Sequence, residues 1–386
     1  MTRGKECIVP KVSIVNARED LQQAFGRALE LIGLGDLIQP GQTVLLKPNR
    51  HGGHGYTSPD VLEAGAKWAF SKGAGEVWIG DGPVWSMVGD SLNEYFRSSG
   101  LLDACERSGA KPLDFHAGEY RLFRPNHPDL PETIGFSEYL YQADVVISVP
   151  LMKTHFNTLV TLGIKNLKGC MRPIDKKAFH EIELNHAIAE MCRMLAPIIT
   201  VHLMDATVAY EGMGPGSGTP VEMGLLLASQ DVVALDSVAC DLMGIDPQQA
   251  RLIRFCADRG VGIMDLDRIE RVGEDPDLHR RRFRLPYEAL ADEFPDLCII
   301  SDNACSGCAM NLFRALEIAR SCGQTVTCQT VVIGPSVDTE EQTLLVGRCT
   351  KPGWDCARHV KGCPPSVDSI REGLTDIPHG PGMPKS

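Results

Sequence analysis

The chain lacks several things, and each absence narrows its function. No stretch approaches the roughly 20 apolar residues that a membrane-crossing helix needs. The opening MTRGKECIVPKVSIV has neither the long apolar core nor the small-residue cleavage site of a secretory signal. A cytoplasmic protein with no membrane partner is the expectation. Positive charge is not in excess: the formal net charge is −12. Broad nucleic-acid binding needs a basic surface that displaces counterions, so no nucleic-acid partner is expected. A local basic pocket for a small anion is compatible with that balance. Also missing are a GxxxxGKS/T phosphate loop, a GxGxxG opening a helix, a GxSxG elbow, an HExxH zinc motif and the protein-kinase set. These gaps do not exclude a flavin or a nicotinamide.

What is present points elsewhere. The 386 residues are 43% hydrophobic and 23% charged, ordinary for a globular chain that is too long for one core. There are 14 cysteines, many for a reducing compartment, where metal binding or catalysis explains a cluster better than disulfides do. Six are scattered at positions 7, 105, 170, 192, 240 and 256. Eight crowd into the last quarter, at 298, 305, 308, 322, 328, 349, 356 and 363.

Short apolar strands at 7–16, 43–47, 75–83, 111–115, 143–150, 197–207 and 221–230 alternate with helical segments near 19–34, 61–74 and 91–109. ADVVISVP at 143–150 is apolar almost throughout, as a strand covered on both faces should be. The fold class expected is α/β: a doubly wound, mostly parallel sheet over 1–285, with a smaller α/β, cysteine-rich domain over 286–386. The charge-dense stretch 265–292 reads as the connector. Ligands of such sheets bind beyond the carboxyl ends of the strands. The polar tails there are Lys47-Pro-Asn49-Arg50, Asp81-Gly-Pro83, Pro150 to His155, and Asp205-Ala-Thr207.

In the C-terminal quarter, Cys305-Ser-Gly-Cys308 is followed by Gly347-Arg-Cys349 and Gly362-Cys363-Pro-Pro. Two cysteines two residues apart can bite one metal centre from a single turn. Glycine beside each ligand permits the turn and frees backbone N–H groups to face sulfide. Four thiolates suit a [4Fe–4S] cluster or, as the alternative, zinc. The pattern CxxC, GxC, GCPP resembles the proximal-cluster motif of the [NiFe]-hydrogenase small subunit and of the related complex I subunit. The resemblance covers about the last 80 residues and implies iron–sulfur. Cys356 is a substitute ligand, and Cys298 competes likewise. Cys322 and Cys328 are expected in the core.

A basic island interrupts this acidic chain. Between 151 and 180 lie Lys153, His155, Lys165, Lys168, Arg172, Lys176, Lys177 and His180 against one acid, Asp175. Grouped positive charge in a cleft concentrates anions, lysine binds phosphate or carboxylate as a point charge, and histidine moves protons near neutrality. Lys47-Pro-Asn49, Lys153-Thr-His155 after an apolar strand, Lys165-Asn-Leu-Lys-Gly169, and GMGPGSGTP followed by LLASQDVVALDSVACDLMG resemble the DUF362 family over about 40–265. The resemblance implies an α/β domain coupled with iron–sulfur modules. Many members carry a ferredoxin-like CxxCxxCxxxC run, which this chain lacks.

Glu211 to Thr219 is a glycine-rich loop that follows the strand ending in Asp205. Its N–H groups can form a nest for an anion. Asp81, Asp205, Glu211 and Asp236 are the candidate acids. Asp236, within an apolar helix, needs a partner, and orienting Lys153 or Lys165 is one role open to it. His51 and His54 in a glycine loop are weak metal or anion ligands. Cys170 has basic neighbours that would lower its pKa.

The expected function is an iron–sulfur redox enzyme acting on a small anionic substrate in a Lys/His-lined cleft, with an electron-donor protein as partner. Lys153, His155, Lys165 and Asp205 are the expected catalytic groups. Lys47, Asn49, Asp81, Lys168, Glu211, Gly214 and Gly216 are the expected substrate contacts. Cys305, Cys308, Cys349 and Cys363 are the expected cluster ligands. Two other readings stand beside it: an electron-transfer or maturation partner without its own chemistry, and a non-redox isomerase or lyase with structural zinc. Homo-oligomer formation is left open.

Overall fold

The computed structural model describes residues 9–50, 55–82, 84, 90–127, 130–214, 217–300, 306–334, 343–350 and 358–375. Two compact units divide the chain: Met1–Lys177 with Asn185–Tyr287, and Ala178–Leu184 with Glu288–Ser386.

The strands of the first unit are β1 (Lys11–Asn16), β2 (Thr43–Pro48), β3 (Glu76–Asp81), β4 (Lys111–Asp114), β5 (Tyr120–Phe123), β6 (Ile134–Ser137), β7 (Val145–Val149), β8 (Leu151–His155), β9 (Leu159–Thr161), β10 (Val201–Met213), β11 (Ser217–Ser229) and β12 (Glu270–Gly273). The main sheet runs β12-β1-β11-β10-β7-β2-β3-β4. Every neighbouring pair in that row is parallel except those made by β11, which is antiparallel to both β1 and β10. The expected doubly wound α/β architecture is therefore present, with one reversed strand. The stretch near 265–292, read as a connector, instead supplies β12, which pairs with β1 over Lys11↔Glu270 to Ile14↔Gly273.

Helices form where the apolar period demands. Asp20 caps the helix Leu21–Leu31, its carboxylate accepting from Gln23 N. Ser58 caps Pro59–Ser71, and Pro59 occupies the first turn, where its missing N–H costs nothing. The expected single helical stretch at 91–109 breaks in two at Gly100, whose φ is +71°. Phe25, Leu29, Leu62 and Trp68 from the first two helices bury against Val44, Leu46, Val77, Ile79, Val145 and Ile147. Burial of each large apolar side chain contributes roughly 1.5–3 kcal/mol.

That packing decides where the polar side chains go. Successive strand residues point to opposite faces. With Val44 and Leu46 in the helix-covered core, Lys47 turns to the other face at the carboxyl end of β2. β7 and β8 lie end to end along β10, separated by Pro150, whose carbonyl accepts from Asp205 N at 2.8 Å. The break lets β8 carry Lys153 and His155 beyond the end of β7 while still pairing with β10, Lys153 opposite Tyr210.

The second unit has a four-stranded parallel sheet, β13 (Cys298–Ile300), β14 (Thr330–Ile333), β15 (Thr343–Val346) and β16 (Arg358–Val360), in that order. The helix Ser306–Ser321 connects β13 to β14. Among the described residues no helix is long and apolar enough to cross a membrane.

Candidate functional site

Lysines gather from the carboxyl end of β2 (Lys47), from β8 (Lys153) and from the two one-turn helices that follow β9 (Lys165 and Lys168). Lys47 is 1% exposed. Its Nζ donates to Pro48 O (2.7 Å) and Asn166 Oδ1 (3.0 Å) and lies 2.7 Å from Asp81 Oδ1. Asp81 Oδ2 accepts from Arg50 N. Asn166 is locked in turn, its amide donating to Lys47 O and to Ser148 Oγ. A Cβ on Gly169 would stand 2.1 Å from Asp81 Oδ1 and 2.5 Å from Lys47 Nζ. Only glycine can therefore cover this ion pair.

Lys153 is fully buried, and its Nζ donates to Asn49 Oδ1 (3.1 Å) and Gly55 O (2.5 Å). Burial, reinforced by the charge of Lys165, pushes its pKa well below the usual lysine value. Lys176 donates to Gly82 O and to Gly169 O (3.1 Å), and its Nζ is 2.9 Å from His116 Nε2. Burial takes its pKa down to about 7. Lys168 is half-buried, and burial with the charges of Lys165 and Lys176 also holds its pKa far down.

Lys165 differs from the rest. It is 9% exposed, and among the described residues its ammonium has no hydrogen-bond or ion-pair partner. Burial lowers its pKa to about 8. Its backbone is nevertheless held firmly. The helix Gly163–Asn166 begins with two N–H groups, from Gly163 and Ile164, that donate to Asp236 Oδ1 (2.7 Å) and Oδ2 (2.9 Å). Asp236 thus fixes the turn that carries Lys165 instead of pairing with a lysine. Burial raises its pKa to about 7 against those two N–H groups.

His155 Nδ1 accepts from Asn157 N at 3.0 Å, which leaves Nε2 to carry the proton of the neutral ring. Asp205 accepts from Ser58 N with one oxygen and from Thr207 N and Oγ1 with the other. Burial raises its pKa. The glycine loop reaches the same region. A Cβ on Gly214 would lie 2.1 Å from Thr154 O, and Gly214 O accepts from Phe156 N at 3.2 Å. Glu211 Oε2 is taken by Arg284 N at 2.8 Å. Gly216, His51 and His54 fall outside the described residues.

The first unit thus brings Lys47, Asn49, Asp81, Lys153 and Lys165 into one network or its immediate surroundings. Sequence reasoning noted the parts that organise it, Arg50, Asn166, Gly169 and Lys176, but gave none of them a site role. Asn166 and Gly169 had a signal in the Lys-Asn-Leu-Lys-Gly spacing, which alternates ligating and packing positions around a tight turn. Cys170 corrects an expectation. It is fully buried, and burial drives its thiol up to about 12 despite the pull of Lys47 and Lys176. It is no nucleophile at neutral pH.

In the second unit, Cys308 lies buried in the first turns of the helix Ser306–Ser321, while Cys349 and Cys363 are exposed beyond the carboxyl ends of β15 and β16. A Cβ on Gly347 would stand 2.9 Å from Cys308 Sγ and 3.8 Å from Cys349 Sγ, so the two sulfurs converge on one bare backbone position. Gly347 O accepts from Thr350 Oγ1 at 2.6 Å, and His359 Nε2 lies 2.8 Å from it. Arg348 N donates to Gly362 O at 2.8 Å, tying the Cys349 loop to the residue before Cys363. Cys305 and Cys356 fall outside the described residues, among which no three His, Cys, Asp or Glu side chains already form a metal-holding group. Cys322 is exposed and Cys328 half-buried, so neither of the two expected core cysteines is fully buried, and Cys298 is exposed.

The family model described as "Domain of unknown function (DUF362)" matches residues 44–241, more than half of the chain and the whole of the lysine network. The chain belongs to the DUF362 family. A thylakoid-associated protein of Synechocystis is 33% identical over 227 residues, 56% of this chain and 67% of that protein. Among solved structures, a Thermotoga maritima protein has a TM-score of 0.39 at 12% identity, covering 62% of this chain and 59% of that one. The lactate racemase apoprotein of Thermoanaerobacterium thermosaccharolyticum has a TM-score of 0.35 at 12% identity, covering 90% of this chain and 72% of that one. At such scores neither likeness bears on chemistry. In this DUF362 protein the site itself has to supply the functional argument.

Proposed function

We propose that this protein is an iron–sulfur redox enzyme acting on a small anionic substrate held among Lys153, Lys165 and Lys168. One observation carries the substrate half of this reading: Lys165 is buried with no counter-charge among the described residues, beside two more lysines. A buried cation with no partner costs several kcal/mol, and an anion entering the cleft would remove that cost. Lys47 and Asp81 neutralise one another and serve as the floor. Lys153, fixed by Asn49 and Gly55, positions charge. His155 holds a proton at Nε2 for delivery to the bound substrate.

The redox half rests on the second unit. Its donors are thiols, and two of them meet at Gly347. Cys305, Cys308, Cys349 and Cys363 would hold the group, a set that suits a [4Fe–4S] cluster better than a carboxylate-loving metal. When bound, such a cluster supplies one-electron transfer, with an electron-donor protein as the source.

The test pairs binding with metal content. Calorimetry with small carboxylates and inorganic phosphate should show binding to the full chain, lost on Lys165→Met and weakened at least tenfold by Lys153→Ala, with iron content unchanged in both. Equal binding by wild type and both variants would refute the assignment of the cleft.

A further inference from the structure

We propose that Lys165 is a carbonyl-capturing amine, whose Nζ condenses with the carbonyl carbon of an oxo acid while the lysines beside it hold the carboxylate. The inference rests on the anion-binding reading of the lysine cleft and is independent of the cluster.

Three observations separate Lys165 from its neighbours. Lys47, Lys153 and Lys176 each donate to two or more backbone or side-chain acceptors, so their nitrogens are committed. Lys165 has no such acceptor among the described residues and is 9% exposed. A nucleophile needs a free lone pair, and this is the nitrogen in the group that no acceptor orients away. Next, its placement is rigid. Asp236 pins the two N–H groups preceding it, and Asn166, directly after it, is wedged between Lys47 and Ser148. A fixed backbone keeps an attacking group in a productive geometry. Finally, Lys165 lies within electrostatic reach of Lys153 and Lys168, whose pKa values its charge lowers, and burial alone lowers its own; a desolvated lysine is the environment that yields an amine nucleophile. Its pKa of about 8 leaves a usable fraction unprotonated near neutrality.

The step balances without an outside oxidant or reductant. The Nζ lone pair forms the C–N bond, and the carbonyl π pair moves to oxygen. The oxygen then leaves as water with the two amine protons, and an imine remains. A carboxylate bound beside Lys165 would favour protonation of Lys168, and that charge pairing would restrict the class to oxo acids over neutral aldehydes and ketones.

Pyruvate is the probe. The full chain is incubated with pyruvate and cyanoborohydride, which reduces an imine to a stable amine, and the adduct is located by peptide mass mapping. The expected result is a saturable adduct on Lys165, formed faster as pH rises toward and through about 8 and suppressed by excess lactate, an anion with no carbonyl. Lys165→Arg keeps the charge and should bind lactate yet form no adduct. An unmodified Lys165 in wild type, or an adduct confined to other lysines, overturns the proposal whether or not the variant folds. Lactate binding without an adduct leaves the anion reading standing while this inference fails. If neither lactate nor pyruvate binds, both fall.

Discussion

Lys47 and Asp81 form a buried ion pair, Nζ to Oδ1 2.7 Å, with neither side chain more than 2% exposed. Breaking a buried pair leaves an uncompensated charge and costs about 3–5 kcal/mol. Asp81→Asn is expected to lower stability by that amount in urea unfolding of the full chain. A loss below about 1 kcal/mol would mean that Lys47 is held by Pro48 and Asn166 alone.

Gly169 closes over the same pair. With its Cβ position 2.1 Å from Asp81 Oδ1, Gly169→Ala must push apart backbone and ion pair. Overpacking of a tight site costs typically about 1–3 kcal/mol. The expected signature is a lower melting temperature together with weaker binding of small carboxylates. An alanine variant that melts and binds as wild type does would show that the turn relaxes freely.

Asp236 is a positioning residue. Asp236→Ala strands the N–H groups of Gly163 and Ile164, at about 1–3 kcal/mol for buried donors left unsatisfied. Asp236→Asn keeps one acceptor and should cost less. In both variants anion affinity should fall more than cluster content does, because the turn that carries Lys165 loosens. Unchanged affinity with lowered stability would reduce Asp236 to a purely structural cap.

The pH dependence of anion binding has a definite sign. Burial lowers the pKa of Lys165 to about 8, and a bound anion favours the protonated amine and raises it again. Binding therefore takes up a proton at pH values above about 8. Affinity should drop there by up to about tenfold per pH unit for that one group and level off below it. Calorimetry in buffers of different ionisation enthalpy reads the uptake directly. Affinity that rises with pH would contradict the assignment.

Much of this was legible in the sequence. The apolar run at 143–150 and the strands read at 43–47 and 75–83 marked the parallel core, and their polar tails marked the ligand end of the sheet. The reversal of β11 was not legible, because its buried run at 223–229 reads alike in either direction. Nor was β12 visible, since charged edge strands resemble linkers and its residues are mostly exposed. Lys165 and Asn166 show the limit most clearly. Adjacent in sequence, one has no partner among the described residues and the other is locked under Lys47. That difference depends on the turn that Asp236 imposes from 72 and 73 residues along the chain. For Cys170 the charge count favoured activation while burial reversed it, and burial cannot be read from neighbours in sequence.

The most direct test of the redox reading is anaerobic purification of the full chain, followed by iron and sulfide analysis and an absorption spectrum before and after dithionite. About four iron and four sulfide per chain are expected, as for a [4Fe–4S] cluster held by four cysteines, with a broad visible band that bleaches on reduction. Iron should fall in Cys308→Ser and Cys349→Ser but stay unchanged in Cys322→Ser. Colourless protein that holds zinc or no metal after attempted cluster reconstitution would contradict the account.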